Sequence, residues 1–87
     1  MSEYRLLVDW EVIEKLNKLT VPTRRILRQA LTRIGAEPDR CSDYRESNPK
    51  GIPLDVHLCR GFALKYWIDF ADRHVKILEL ELADRAP

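Results

Sequence analysis

From Leu54 to Leu82 the chain alternates apolar and polar residues with the two-residue period of β-strands. Phe62, Leu64, Tyr66, Ile68 and Phe70 hold every second position, so a strand from Phe62 to Phe70 sets them on one face. Ala63, Lys65, Trp67 and Asp69 then fall on the other, an open surface able to meet a partner or a substrate. A strand from Leu54 to Arg60 precedes it, with Leu54, Val56 and Leu58 as its apolar row, and a third runs from about His74 to Leu82. A two-residue turn of Arg60 and Gly61 would pair Cys59 with Phe62 and send the apolar rows of the first two strands to opposite faces. A three-residue loop of Cys59, Arg60 and Gly61 instead pairs Leu58 with Phe62 and Val56 with Leu64, with glycine at the left-handed position. The longer loop is expected, which sets Asp55 across from Lys65 and His57 across from Ala63 on the open face.

In the last strand Val75 and Ile77 alternate one way while Leu78, Leu80 and Leu82 alternate the other. A bulge near Ile77, or apolar contacts on both faces, reconciles them. Glu79 and Glu81 are expected on the open face beside Lys65 and Trp67.

Ahead of this region, Tyr4, Leu6, Val8 and Trp10 predict a first strand of about seven residues, with Asp9 as N-cap of a short helix carrying Val12, Ile13, Leu16 and Leu19. Thr20 and Pro22 start a second helix whose apolar stripe is Ile26, Leu27, Ala30, Leu31 and Ile34, with Arg24, Arg25, Arg28 and Arg33 off it, and Gly35 and Pro38 end it. The tight connection makes an antiparallel helical hairpin able to cover one sheet face. Residues 37–53, with Pro49, Pro53, Asn48 and Gly51, read as a loop of about 16 residues, long enough to be functional or mobile.

Composition narrows the class. The 87 residues make one domain spanning 1–87, and a chain this short buries about 60 to 65% of its unfolded surface. A 45% hydrophobic, 33% charged composition with net charge +1 fits a globular protein rather than a disordered or membrane one, with the cytoplasm as default location. Near-neutral charge does not advertise nucleic-acid binding, so any such role rests on how charge is distributed. Cys41 and Cys59 have no metal-ligand spacing and read as free thiols.

Strand, helical hairpin, long loop and a three-strand antiparallel meander with a short basic tail resemble the RelE/ParE superfamily of type II toxins, from Tyr4 to Arg85. The local marks are Gly61-Phe62-Ala63-Leu64-Lys65-Tyr66 and Leu80-Glu81-Leu82-Ala83-Asp84-Arg85. The resemblance implies an α+β fold of β-α-α-β-β-β order, with the helical hairpin on one face of a small antiparallel sheet. It also implies a toxin held inactive by a cognate antitoxin. RelE-like members cleave mRNA on the ribosome with lysines and arginines and without metal or other cofactor; ParE-like members poison DNA gyrase. In this chain Arg85 falls on the family's arginine after the last strand, whereas Asp55 and His57 stand where the ribonuclease branch has lysines, and Ala63 replaces the middle-strand arginine.

Attack by a 2′-hydroxyl needs a proton acceptor, charge stabilisation at phosphorus and a proton donor for the leaving oxygen. Under the resemblance His57 is the candidate for proton transfer, Lys65 and Arg85 for the phosphate, Arg60 for a supporting contact, and Trp67 for stacking a base. Plainer readings stand beside these: His57 as a sheet residue, Lys65 as the cross-strand partner of Asp55, and His74 as a solvated turn residue. Trp67 would touch an antitoxin peptide, the long loop or a second copy of the chain in a homodimer. Glu79 and Glu81 would repel RNA. Ribosome-dependent mRNA endoribonuclease is the leading expectation, with gyrase inhibitor or inert binding module of the same fold as alternatives.

Overall fold

The computed structural model describes residues 4–83. The elements run β1 (Arg5–Val8), α1 (Trp10–Asn17), α2 (Val21–Ala36), α3 (Pro38–Cys41), β2 (Tyr44–Ser47), β3 (Pro53–Cys59), β4 (Phe62–Asp69) and β5 (His74–Leu82). They form a five-stranded sheet in the order β1-β5-β4-β3-β2. The meander β2 to β5 is antiparallel, while β1 joins the far edge parallel to β5, so the sheet is mixed and not wholly antiparallel. Three helices lie between β1 and the meander, and such a crossover lets β1 and β5 run in the same direction.

Helices α1 and α2 form where the apolar spacing predicts them. Asp9 caps α1 through its backbone, its carbonyl accepting from the Val12 and Ile13 amides, and Pro22 lies in the first turn of α2. Their stripes bury Val12, Leu16, Leu27, Ala30, Leu31 and Ile34 against Leu64, Tyr66, Ile68, Val75, Ile77 and Leu80 of β4 and β5. The β5 alternation is resolved by a bulge. Lys65 pairs with Glu79 but Tyr66 with Ile77, so Leu78 is the extra residue. It turns Leu80 and Leu82 to the same face as Val75 and Ile77.

Two further expectations are corrected. The first is the loop of residues 37–53, which contains α3 and the edge strand β2. Asn48 makes the turn into β3, its Oδ1 accepting from the Lys50 and Ile52 amides at 2.9 Å, with Gly51 left-handed at φ 81.

The second is the β3–β4 register, which pairs Cys59 with Phe62, Leu58 with Ala63, His57 with Leu64, Val56 with Lys65 and Asp55 with Tyr66. Arg60 and Gly61 are a two-residue turn with φ of 55 and 82, the positive pair of a type I′ hairpin. The apolar row of β3 therefore lies on the face opposite α1 and α2, while Asp55 and His57 lie on the helix side. Neither Asp55 nor His57 shares a face with Lys65. Among the described residues no helix is long and apolar enough to cross a membrane.

Candidate functional site

Leu54, Val56 and Ala63 occupy the sheet face away from the helices, yet they are 1%, 0% and 3% exposed. Long side chains replace a helix as their cover. Val56 sits between Tyr44 of β2 and Lys65 of β4, and Leu54 beside Glu46 of β2. The Lys65 ammonium donates to Glu46 Oε2 at 2.8 Å and also binds Glu81. To reach β2 from β4 the lysine and glutamate must meet above β3, so the bridge roofs the apolar floor.

Only 13% of the Lys65 side chain is exposed. Burial alone would lower its pKa, but hydrogen bonds and charge attraction from Glu46 and Glu81 outweigh it and hold the ammonium well above its usual range. A lysine held by two carboxylates has two of its three donors committed and its charge overcompensated, a poor setting for a phosphate. Glu79, paired with Lys65 across β4–β5 and exposed, adds further negative charge to this end.

The other end of the open face carries cations beside Asp69. Trp67, half-buried, lies on the same side of β4 as Lys65, and the Lys76 ammonium stands 5.1 Å from its ring centroid. Arg5 and Leu7 of β1 continue this end as the register neighbours of His74 and Lys76, and both are exposed.

His57 belongs to a different cluster. It faces the helix side, where α3 and the residues after it fold over β3. Its Nδ1–H donates to the Cys41 carbonyl at 2.7 Å, with Asp43 Oδ2 at 3.5 Å. A carbonyl can only accept, so the proton of the neutral ring is on Nδ1. Nε2 is buried and has no partner among the described residues. Around it, Ser42 Oγ donates to Asp55 Oδ1 at 2.7 Å, Arg45 Nε donates to the same oxygen at 3.2 Å, and the Leu58 amide donates to Asp43 Oδ2 at 2.7 Å.

Tyr66, fully buried, donates to the Pro38 carbonyl at 2.7 Å. Burial first, and then the Asp55 charge, push its phenol well above the usual tyrosine range. Burial also raises the Cys41 thiol, which leaves it a weak nucleophile. These groups tie residues 38–45 to the sheet and leave no ring nitrogen open to a substrate.

Of the residues singled out from sequence, the fold therefore brings Lys65 and Trp67 to one face, sends His57 to the other, and sets Arg60 exposed at the hairpin tip. Arg85 lies outside the described residues. Sequence reasoning did not bring Glu46 to Lys65, because β2 was hidden inside the presumed loop. The usable signal was the Asn48–Gly51 turn between two short alternating stretches.

Three groups that could ligate a metal, Asp69, Asp72 and His74, have ligand atoms within 4.8 Å of one another at the β4–β5 turn. There Asp69 Oδ1 already accepts the Asp72 amide. An apolar groove of about 430 Å³ opens between the end of α1 and the edge of the core, floored by Leu19, Phe62, Leu80 and Leu82 and rimmed by Lys15, Lys18 and Glu81.

No protein-family model matches the chain, and no curated protein matches it. Solved structures do. The chain is similar to one in the archaeal RelE–RelB complex from Pyrococcus horikoshii OT3, at 21% identity and a TM-score of 0.80, covering 99% of this chain and 100% of that one. It is similar to one in the toxin–antitoxin complex RelBE2 from Mycobacterium tuberculosis, at 20% identity and a TM-score of 0.81, covering 97% of each. It is similar to the isolated E. coli RelE toxin, at 21% identity and a TM-score of 0.72, covering 95% of this chain and 87% of that one. The chain thus shares the α+β fold of these RelE structures over nearly its whole length.

Proposed function

We propose that the chain is the toxin of a type II toxin–antitoxin pair and inhibits growth by binding its target, not by nucleolysis through His57 and Lys65. Supporting the toxin reading is a full-length match to the RelE fold, seen in structures described as toxin–antitoxin complexes. The carrying observation for the mode of action is the Glu46–Lys65–Glu81 bridge, with His57 on the opposite face. An mRNA-cleaving site must gather cations and a proton acceptor around one phosphate. This face instead carries carboxylates around its central lysine, and the histidine's free nitrogen is buried. Gyrase inhibition is one form of the binding mode.

The cognate antitoxin would seat an amphipathic segment in the groove of Leu19, Phe62, Leu80 and Leu82. Its acidic residues would meet Lys15 and Lys18 at the rim.

Ribosome-dependent mRNA cleavage stands as the second reading because of the cations at the Trp67 end of the open face. Trp67 under Lys76, with Arg5 nearby in register, could stack a base and hold a phosphate away from the glutamates.

Expression of the chain alone from a tight inducible promoter, followed by methionine and thymidine incorporation, separates the readings. Growth arrest that survives His57→Ala and Lys65→Ala, with thymidine incorporation failing first, is expected. Early loss of methionine incorporation that Trp67→Ala or Arg5→Ala abolishes would turn the reading to translation. Normal growth at good expression would leave an inert binding module and defeat the toxin reading.

A further inference from the structure

Helix α2 holds four arginines, Arg24, Arg25, Arg28 and Arg33, and no acidic residue, leaving eleven basic residues against fourteen acidic ones in the rest of the chain. Charge is thus segregated in a protein of net +1. Leu27, Ala30, Leu31 and Ile34 take the buried side of the helix, so Arg25 and Arg28 fall on the outward side with Gln29 and Thr32, and the half-buried Arg24 flanks them. Together with Val21 these residues line a shallow polar groove of about 320 Å³.

Among the described residues no salt bridge engages Arg24, Arg25 or Arg28, in contrast to Arg45 and Lys65, each of which is held by a carboxylate. Three like charges within about one turn of helix repel one another. The arrangement is therefore one that a polyanion would stabilise. We propose that this outward face of α2 binds the phosphate backbone of nucleic acid.

The cations are all arginines, whose planar forks pair bidentately with phosphate as they do with carboxylate, and the neighbouring Gln29 amide is suited to backbone oxygens. One feature favours phosphates over an acidic protein segment: the groove lacks an apolar row, Val21 alone being exposed at 55%, so a folding amphipathic helix would gain little hydrophobic burial there. The surface is separate from the groove at Leu80 and Leu82 and from the open sheet face, and it needs no catalysis.

The test is fluorescence anisotropy of the full chain with a labelled single-stranded RNA 20-mer at 50 to 200 mM salt. Three arginine–phosphate contacts give a log–log salt slope of about −2, a loss of affinity of about 15- to 20-fold over that range. Arg24→Gln/Arg25→Gln/Arg28→Gln should weaken binding at least about tenfold at 50 mM and bring the slope close to zero. Should the triple variant fold poorly by circular dichroism, Arg25→Gln/Arg28→Gln leaves the Arg24 contact to the Asn17 carbonyl intact and should remove most of the slope. Absence of RNA binding at 50 mM salt, or binding unchanged by the substitutions, would overturn the proposal. So would a poly-glutamate peptide that binds as tightly as the RNA, which would assign the face to an acidic protein partner.

Discussion

The two faces of the β3–β4 hairpin carry equally buried apolar residues under different covers. On the helix side Leu64 and Tyr66 pack beneath α1 and α2, elements held by their own backbone hydrogen bonds. On the open side Leu54, Val56 and Ala63 lie outside that cluster, next to long side chains such as Lys65 that charge pairs hold in place. A cover of long side chains can rearrange or admit water where a helix cannot. Equal burial should therefore not mean equal energetic cost.

Truncations at matched depth test this most strongly. Leu64→Ala should cost about 3 to 4 kcal/mol, because the rigid helix layer leaves a cavity. Leu54→Ala should cost about 2 kcal/mol, because Lys65 and Trp67 can settle into the space. Urea unfolding midpoints with unchanged slopes would measure both. Equal costs would mean that the side-chain roof is as stiff as the helices.

Tyr66→Phe probes the polar margin of the helix side. It leaves the Pro38 carbonyl without its buried donor, at about 1 to 2 kcal/mol. Faster hydrogen exchange across residues 38–45 should accompany the loss, since that hydroxyl ties α3 to the sheet.

Lys65→Met keeps the stem over Val56 and removes the charge, leaving Glu46 and Glu81 to repel. With those carboxylates 35% and 45% exposed, about 1 kcal/mol is expected at pH 7, less in 1 M salt. The pH sign follows from the raised folded-state pKa. The lysine's contribution is complete below its unfolded value of 10.5 and is lost as pH climbs above it toward the folded value. The gap between wild type and Lys65→Met should thus hold constant from pH 7 to about 10 and narrow above that.

Periodicity made α1, α2, β4 and the fold class legible, and it flagged the β5 bulge, because a continuous apolar stripe and a shifted alternation each have one physical meaning. The β3 register was not legible in the same way. Matching apolar rows favoured placing Leu54, Val56 and Leu58 on the helix side, yet the polar row of β3 is the one that finds dedicated partners there. Asp55 takes Ser42 and Arg45, and His57 takes the Cys41 carbonyl. Those partners come from α3, β2 and the link between them, elements too short to show a period. The candidate site moved with the register. His57 left the open face, and Glu46, read from sequence only as a residue of the long loop, arrived to hold Lys65.

The smallest expected effect addresses the cause of that shift. Arg60 sits at φ 55, where a side chain with a Cβ is disfavoured and asparagine is tolerated, and the following Gly61 completes the pair that a type I′ turn wants. Arg60→Asn should therefore stabilise the protein by about 0.5 kcal/mol, read as a small rise in the urea midpoint, because it lowers the strain of the two-residue turn and of the register it enforces. If the three-residue loop were the true connection, asparagine at 60 would bring no gain. Nuclear Overhauser contacts would then pair Leu58 with Phe62 instead of Cys59 with Phe62, returning His57 to the face of Lys65 and restoring the case for acid–base chemistry there.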